Sequence, residues 1–259
     1  MTANEVVDIV KKNMGTWSER SRRDTFKVGD PNTQVTGVAC TFMGMFDVIK
    51  RAHAAKLNLI ISHEDTFWND PDDVSKLAGN KLYKIKTEWC KQNGMVIWRI
   101  HDAQHAHRPD QIVVGELREI GIEDEEATMG GGKIYTIPET TLGAFASKVK
   151  TMTGSRAFRV VGDPSAKISR IGVGPGYATP RFSVGVDVVV GGEQQEADGQ
   201  FDNVEYAQDC AALGIPKGYI ALGHCVSEQP GMKVFADWLR PLVPGVPVQY
   251  MPAPEPYWT

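Results

Sequence analysis

The sequence is poor in cysteine, and the four it has (Cys40, Cys90, Cys210 and Cys225) are widely scattered with no C-x-x-C pair. That spacing excludes a disulfide framework and a finger-type zinc site, and it points to reduced thiols in a cytoplasmic protein. Long apolar runs are also missing: none approaches the roughly 20 residues that cross a bilayer. The opening residues Met1-Thr-Ala-Asn-Glu5 contain no basic segment leading into an apolar one, so no secretory signal is expected. Positive charge is not in excess. Lys and Arg number 28 against 32 Asp and Glu, a net charge of −4 with no basic stripe, which weighs against a nucleic-acid partner. Low-complexity tracts and short-period repeats are absent. What remains is an ordinary globular composition, 42% apolar and 23% charged, in 259 residues that suffice for one large domain or two small lobes with a sizeable core.

Alternation of strand-like and helix-like segments predicts an α/β fold of two lobes with mainly parallel sheets. Thr2 and Glu5 form a T-x-x-E capping box for a first helix with an apolar stripe of Val6, Val7, Val10 and Met14. Strands are expected at Val35–Phe42, Leu57–Ser62 and Met95–Ile100, with helices at about Met45–Lys56 and Asp73–Asn93. A second series follows: a helix at about Glu139–Met152, strands at Ala157–Val161, Ile168–Val173 and Ser183–Val190, and a helix near Asp202–Leu213. It ends with a strand at Tyr219–Leu222, a helix from Ser227 to Leu239 and a strand near Val246–Met251. The acidic, glycine-rich stretch 116–137 reads as a join between an N-terminal lobe (about 1–115) and a C-terminal lobe (about 138–259). The proline-rich end, PAPEPYWT, reads as an extended tail.

Open α/β sheets bind ligands at the carboxyl ends of their strands. Three such ends here carry metal-type ligands: His63-Glu64-Asp65, then His101 to His105 with His107 beyond, and His224-Cys225-Val226-Ser227-Glu228. Five of the six histidines fall in these short loops. His224 and Glu228 are four apart at the start of a helix, so both can face one point, and His101 and His105 share that spacing. Imidazole with carboxylate suits zinc, iron, manganese or nickel. A lone histidine after a strand is more often a hydrogen-bonded surface residue, and Glu228 alone is favoured simply by the helix dipole; only the coincidence of three strand ends points to metal. Ser227 is a candidate helix cap, and Cys225 reads as a buried thiol rather than a ligand. Gly172-x-Gly174-x-Gly176 is not a dinucleotide loop and Gly130-Gly-Gly-Lys133 is not a P-loop; both read as turns.

The segment Thr36–Phe67, with Ile60-Ile-Ser-His63-Glu64, resembles the N-terminal signature of the NIF-three-like family, which reads I-S-H-H-P-L-F. Gly191-Gly-Glu193, followed by Gly223-His-Cys-Val-Ser-Glu228, resembles its C-terminal signature. Phe158–Asp163 and Ile171–Gly176 fit the region between. The resemblance implies a two-metal site between the lobes, in a family often labelled GTP cyclohydrolase type-two homologues and forming toroidal homohexamers. His63, His224 and Glu228 match family ligands directly. Glu64 stands where the family has a second histidine, and His105 where it has an aspartate, so a carboxylate and an imidazole have exchanged places. The metal set implied is therefore His63, Glu64, His105, His224 and Glu228. His101 is a candidate ligand, proton carrier or supporting group. Glu193 is a candidate proton acceptor, against the alternative of a surface carboxylate in the polar loop GGEQQEAD.

Two divalent ions, zinc or iron first and manganese or nickel next, activate water near neutral pH. The expectation is thus a metal-dependent hydrolase of a small, nucleotide- or pterin-like molecule. The alternative is a non-catalytic metal-binding, regulatory or partner-binding ring.

Overall fold

The computed structural model describes residues 1–129, 133–182, 185–193 and 202–258, and structural statements below concern these. Gly130–Gly132 of the expected join, the first two residues of the expected 183–190 strand and residues 194–198 of the polar loop lie outside them. Along the chain run α1 (Ala3–Met14), β1 (Phe26–Val28), β2 (Val38–Met43), α2 (Phe46–Ala54), β3 (Leu59–Glu64), α3 (Lys81–Gln92), β4 (Val96–Arg99), the short α4 (Asp102–Ala106) and α5 (Gln111–Glu119). Then come β5 (Ile134–Thr141), α6 (Leu142–Thr153), β6 (Arg159–Gly162), β7 (Lys167–Gly174), β8 (Val188–Gly191), α7 (Asn203–Ala212), β9 (Gly218–Ala221), α8 (His224–Leu239) and β10 (Val248–Tyr250). No helix among the described residues is long and apolar enough to cross a membrane.

The chain forms two compact units, residues 1–111 with 232–253, and residues 112–231 with 254–259. In the first, the strand order is β1-β4-β3-β2-β10. The neighbours β10–β2, β2–β3 and β3–β4 are parallel, and only the edge pair β1–β4 is antiparallel. Central β3 is buried at all six positions, as expected of a parallel strand covered on both faces. The α1 capping box forms as expected: Glu5 N–H donates to Thr2 Oγ1, and Thr2 N–H to the Glu5 carboxylate. Val6, Val7, Val10 and Met14 are buried.

The second unit has the order β5-β7-β8-β9-β6. Its inner pairs β7–β8 and β8–β9 are parallel, while edge strands β5 and β6 run antiparallel to their neighbours. Leu142, Phe145 and Val149 of α6 pack with Ile171, Val188, Val190 and Ile220 from the sheet. Phe182, Val189, Ala207 and Tyr219 form a second apolar cluster.

Several boundaries differ from expectation. The helix expected from Asp73 begins only at Lys81, capped by Asn80. Upstream, Asn69 accepts from Asp73 N–H and Asp73 accepts from Ser75 N–H; such local side-chain acceptors compete with helix formation. Glu139 belongs to β5, and α6 starts after the Thr141 cap. Helix α8 begins at His224 rather than Ser227, whose hydroxyl donates to His224 O instead of capping. Strands β1 and β5 and helices α4 and α5 add to the elements the sequence pattern marks.

Candidate metal centre

In the first unit the carboxyl ends of β3 and β4 lie side by side. Ser62 pairs with Arg99, and Ile100 N–H donates to Ser62 O at 2.9 Å. This register sets His63, the residue after Ser62, beside His101, the residue after Ile100. Their rings stack with centroids 4.6 Å apart. His101 N-caps α4, and His105 N–H donates to His101 O, so the four-residue spacing closes one helical turn. The His105 ring meets those of His63 and His101 edge-on at 4.9 and 4.7 Å. His63, His101 and His105 each offer a ligand atom within 4.8 Å of the others'.

What organises the three rings is the partner of each Nδ1. His63 Nδ1 lies 2.8 Å from Gln104 Oε1, His101 Nδ1 3.0 Å from Asp102 Oδ1, and His105 Nδ1 3.0 Å from Asp110 Oδ2. In a neutral ring, an oxygen acceptor there favours the tautomer with the proton on Nδ1 and the lone pair on Nε2, the arrangement common among metal-binding imidazoles. Gln104 and Asp110 are fully buried. The hydrogen bond to His101, assisted by Ser21 and Arg23, holds the Asp102 carboxyl well below the usual carboxylate range despite its partial burial. His107 stands apart: its Nδ1 contacts Pro109 O and its ring lies edge-on to Trp238.

Glu64, the last residue of β3, is held by Arg99 at 2.7 Å through Oε2, while Oε1 lies 3.3 Å from His101 Nε2. Asp24, a residue that sequence reasoning passed over, anchors the whole turn. It is 1% exposed and accepts from the backbone N–H groups of His101, Asp102 and Ala103 at 2.6, 3.0 and 2.9 Å. No local pattern marks it, because its partners are nearly eighty residues away.

The second unit gathers Gly176, Glu193 and His224 at the ends of its three parallel strands. Glu193 N–H donates to Gly176 O, and Gly223 N–H to Gly192 O, both within 2.9 Å. His224 Nε2 lies 3.0 Å from Glu228 Oε2, and His224 Nδ1 3.7 Å from Glu193 Oε2. The contact with His224 lowers the Glu193 carboxyl below its ordinary value, opposed by burial and reinforced by the Tyr177 hydroxyl. The Tyr177 ring is edge-on to His224 at 5.1 Å. Gly176, expected to be a mere turn, is a cradle. It has φ +53°, and a Cβ there would sit 2.2 Å from Glu228 Oε1 and 3.0 Å from His224 Nε2. Its N–H donates to Ser227 Oγ at 3.1 Å. Only glycine allows both the conformation and the approach.

Near Glu228, Glu116 of α5 is 1% exposed, and neither carboxyl oxygen has a hydrogen-bond partner. Burial, then the negative charge of Glu228, raises its carboxyl well above the ordinary range. Cys225 is buried and its thiol is pushed up to about 12 by desolvation, so it is a packing residue rather than a soft ligand. All four cysteines are free and buried.

The donor types gathered in both units, imidazole nitrogens with carboxylates beside them, fit a divalent ion.

Comparison with known proteins places the fold. The structure superposes on that of Staphylococcus aureus hypothetical protein SA1388 with a TM-score of 0.75 at 15% identity, covering 100% of this chain and 99% of that one. A Bacillus cereus protein related to NIF3 gives a TM-score of 0.70 at 15% identity, with 100% and 99% covered. For TTHA1606 from Thermus thermophilus the TM-score is 0.66 at 18% identity, with 99% and 100% covered. No curated protein matches by sequence. The family model described as Duf34/NIF3 (NGG1p interacting factor 3) matches residues 1–256, and the chain belongs to that family.

Proposed function

We propose that this chain is a divalent-metal protein that works as a metal-dependent hydrolase on a small, nucleotide- or pterin-like substrate. The observation carrying the metal reading is that His63, His101 and His105 each have Nδ1 against an oxygen acceptor, with ligand atoms within 4.8 Å of one another. His107 has a similar Nδ1 contact and stands alone, so it is the convergence of three such rings, not any one contact, that favours a cation. One ion of a pair falls to these rings with Glu64, and the other to His224 with Glu228. Zinc or iron suits this nitrogen-rich set best, ahead of manganese and nickel.

When bound, a divalent ion supplies Lewis acidity toward water or a carbonyl or phosphoryl oxygen. The chain's own residues do the rest. Asp110, Asp102 and Gln104 fix the rings in the donor tautomer. Glu193, 3.7 Å from His224 Nδ1, stands beside that ring as the proton acceptor expected from sequence. Gly176 keeps the space against Glu228 open. The oligomer, expected as a homohexamer from the family resemblance, belongs to the same proposal.

Elemental analysis of protein purified without added metal, followed by turnover assays on nucleotides, pterins and small amides with Glu228→Ala as control, tests the reading. Bound metal with Glu228-dependent turnover supports it. Bound metal without turnover across the panel supports the non-catalytic alternative. Protein that takes up no divalent ion refutes both.

A further inference from the structure

We propose that Arg99 is a positioning residue of the first-unit site, holding Glu64 as a carboxylate donor beside His101; this rests on the metal reading above. Arg99 ends β4 and is 0% exposed, an expensive place for a guanidinium. Its fork is used on three sides. Nε donates to His63 O at 3.0 Å, Nη2 to Glu64 Oε2 at 2.7 Å, and Nη1 to Asp70 Oδ1 at 2.9 Å, with Asp72 Oδ2 3.7 Å away. A single buried side chain therefore grips the backbone of one ring-bearing residue and the carboxylate of the next.

The grip has a geometric consequence. With Oε2 held by Arg99, the other oxygen, Oε1, faces His101 Nε2 at 3.3 Å. Donors bound to one zinc ion at about 2.0–2.1 Å in tetrahedral geometry are separated by about 3.3 Å. The 3.3 Å between Glu64 Oε1 and His101 Nε2 is close to that spacing. The same geometry accounts for a carboxylate at position 64. A histidine there would set a cationic or neutral ring against a buried guanidinium and leave its Nη2 without a counter-charge, a costly arrangement.

The surroundings lock Arg99 in turn. Asp70 also accepts from Arg23 through both Nε and Nη2, and Lys27 approaches Asp72 at 3.4 Å. Arg23 further reaches Asp102, the acceptor of His101 Nδ1. Lysine cannot reproduce the arrangement, since one ammonium on a flexible stem does not span His63 O, Glu64 and Asp70 together.

The test uses cobalt(II), whose visible absorption reports coordination number and donor set. Metal-free full-length protein is titrated with cobalt(II) as wild type, Arg99→Gln, Arg99→Lys, Glu64→Gln and the Arg99→Gln/Glu64→Gln double variant, with far-UV circular dichroism to confirm folding. The expected result is about a 10–100-fold loss of affinity in Arg99→Gln with a changed spectrum. Glu64→Gln is expected to show the same change, with no further loss in the double variant and at most partial recovery in Arg99→Lys. Additive losses, or an Arg99→Gln spectrum and affinity equal to wild type, overturn the proposal. Should Arg99→Gln not fold, Arg99→Lys decides, because full wild-type affinity and spectrum there also overturn it. Failure of the wild type to bind cobalt(II) would instead refute the metal reading itself.

Discussion

Asp24 offers the sharpest test of how the first-unit site is built. Its carboxylate is buried and accepts three backbone N–H bonds from His101, Asp102 and Ala103, at 2.6 to 3.0 Å. Asp24→Ala leaves those N–H groups at the start of a five-residue helix without their acceptor. Hydrogen bonds to a charged group contribute about 1.5–3 kcal/mol each, but they are not additive, and an N-cap deletion costs about 0.5–2 kcal/mol. A loss of about 3 kcal/mol is therefore expected. Asp24→Asn, which keeps one acceptor oxygen, should lose about half of that. Urea unfolding of the metal-free protein measures these values, and calorimetric zinc titration should show about a tenfold or greater loss of affinity in Asp24→Ala, since His101 and His105 ride on the same turn. If Asp24→Ala changes stability by less than about 0.5 kcal/mol, an effect typical of a surface site, the anchoring role is wrong.

Gly176→Ala puts a methyl group 2.2 Å from Glu228 Oε1 at a backbone φ of +53°. It should cost about 1–2 kcal/mol in thermal unfolding and weaken metal binding by His224 and Glu228, and unchanged affinity would count against the cradle. Glu116 has a raised carboxyl pKa in the fold, so its contribution to stability is complete below the unfolded value near 4.5 and is lost as pH rises. Glu116→Gln should accordingly flatten the decline in stability above that pH, as read from denaturation series, and an unaltered slope would refute the assignment. Glu193 shifts the other way, so its contribution is present above about 4.5 and fades in more acidic solution. Glu193→Gln should remove that acid-side loss in metal-free protein, as a pH series of melting temperatures would show.

The parts of the fold that could be read from sequence were those written in adjacent residues. The β3 run opens with Leu59-Ile-Ile61 because both faces are covered, and its polar end, Ser62-His-Glu64, marks the site. The α1 capping box needs only Thr2 and Glu5. Placing His63, His101 and His105 near strand ends required only the rule that ligands gather there. What was illegible depends on distant partners. Asp24 matters because of a turn far along the chain, and Gly176 because Glu228 comes against it from α8. Helix α4 is five residues long, too short for a periodic signal. The segment Asp73–Asn80 has helix-compatible composition, yet Asn69 and Asp73 satisfy backbone N–H groups locally and delay the helix to Lys81.

The central claim is that the Nε2 atoms of His63, His101 and His105 converge on a cation. Crystals of the chain grown with zinc and measured on both sides of the zinc absorption edge test it directly. An anomalous peak about 2.0–2.1 Å from all three Nε2 atoms is the predicted result. Zinc bound elsewhere, with these three rings showing no anomalous density between them, would contradict it.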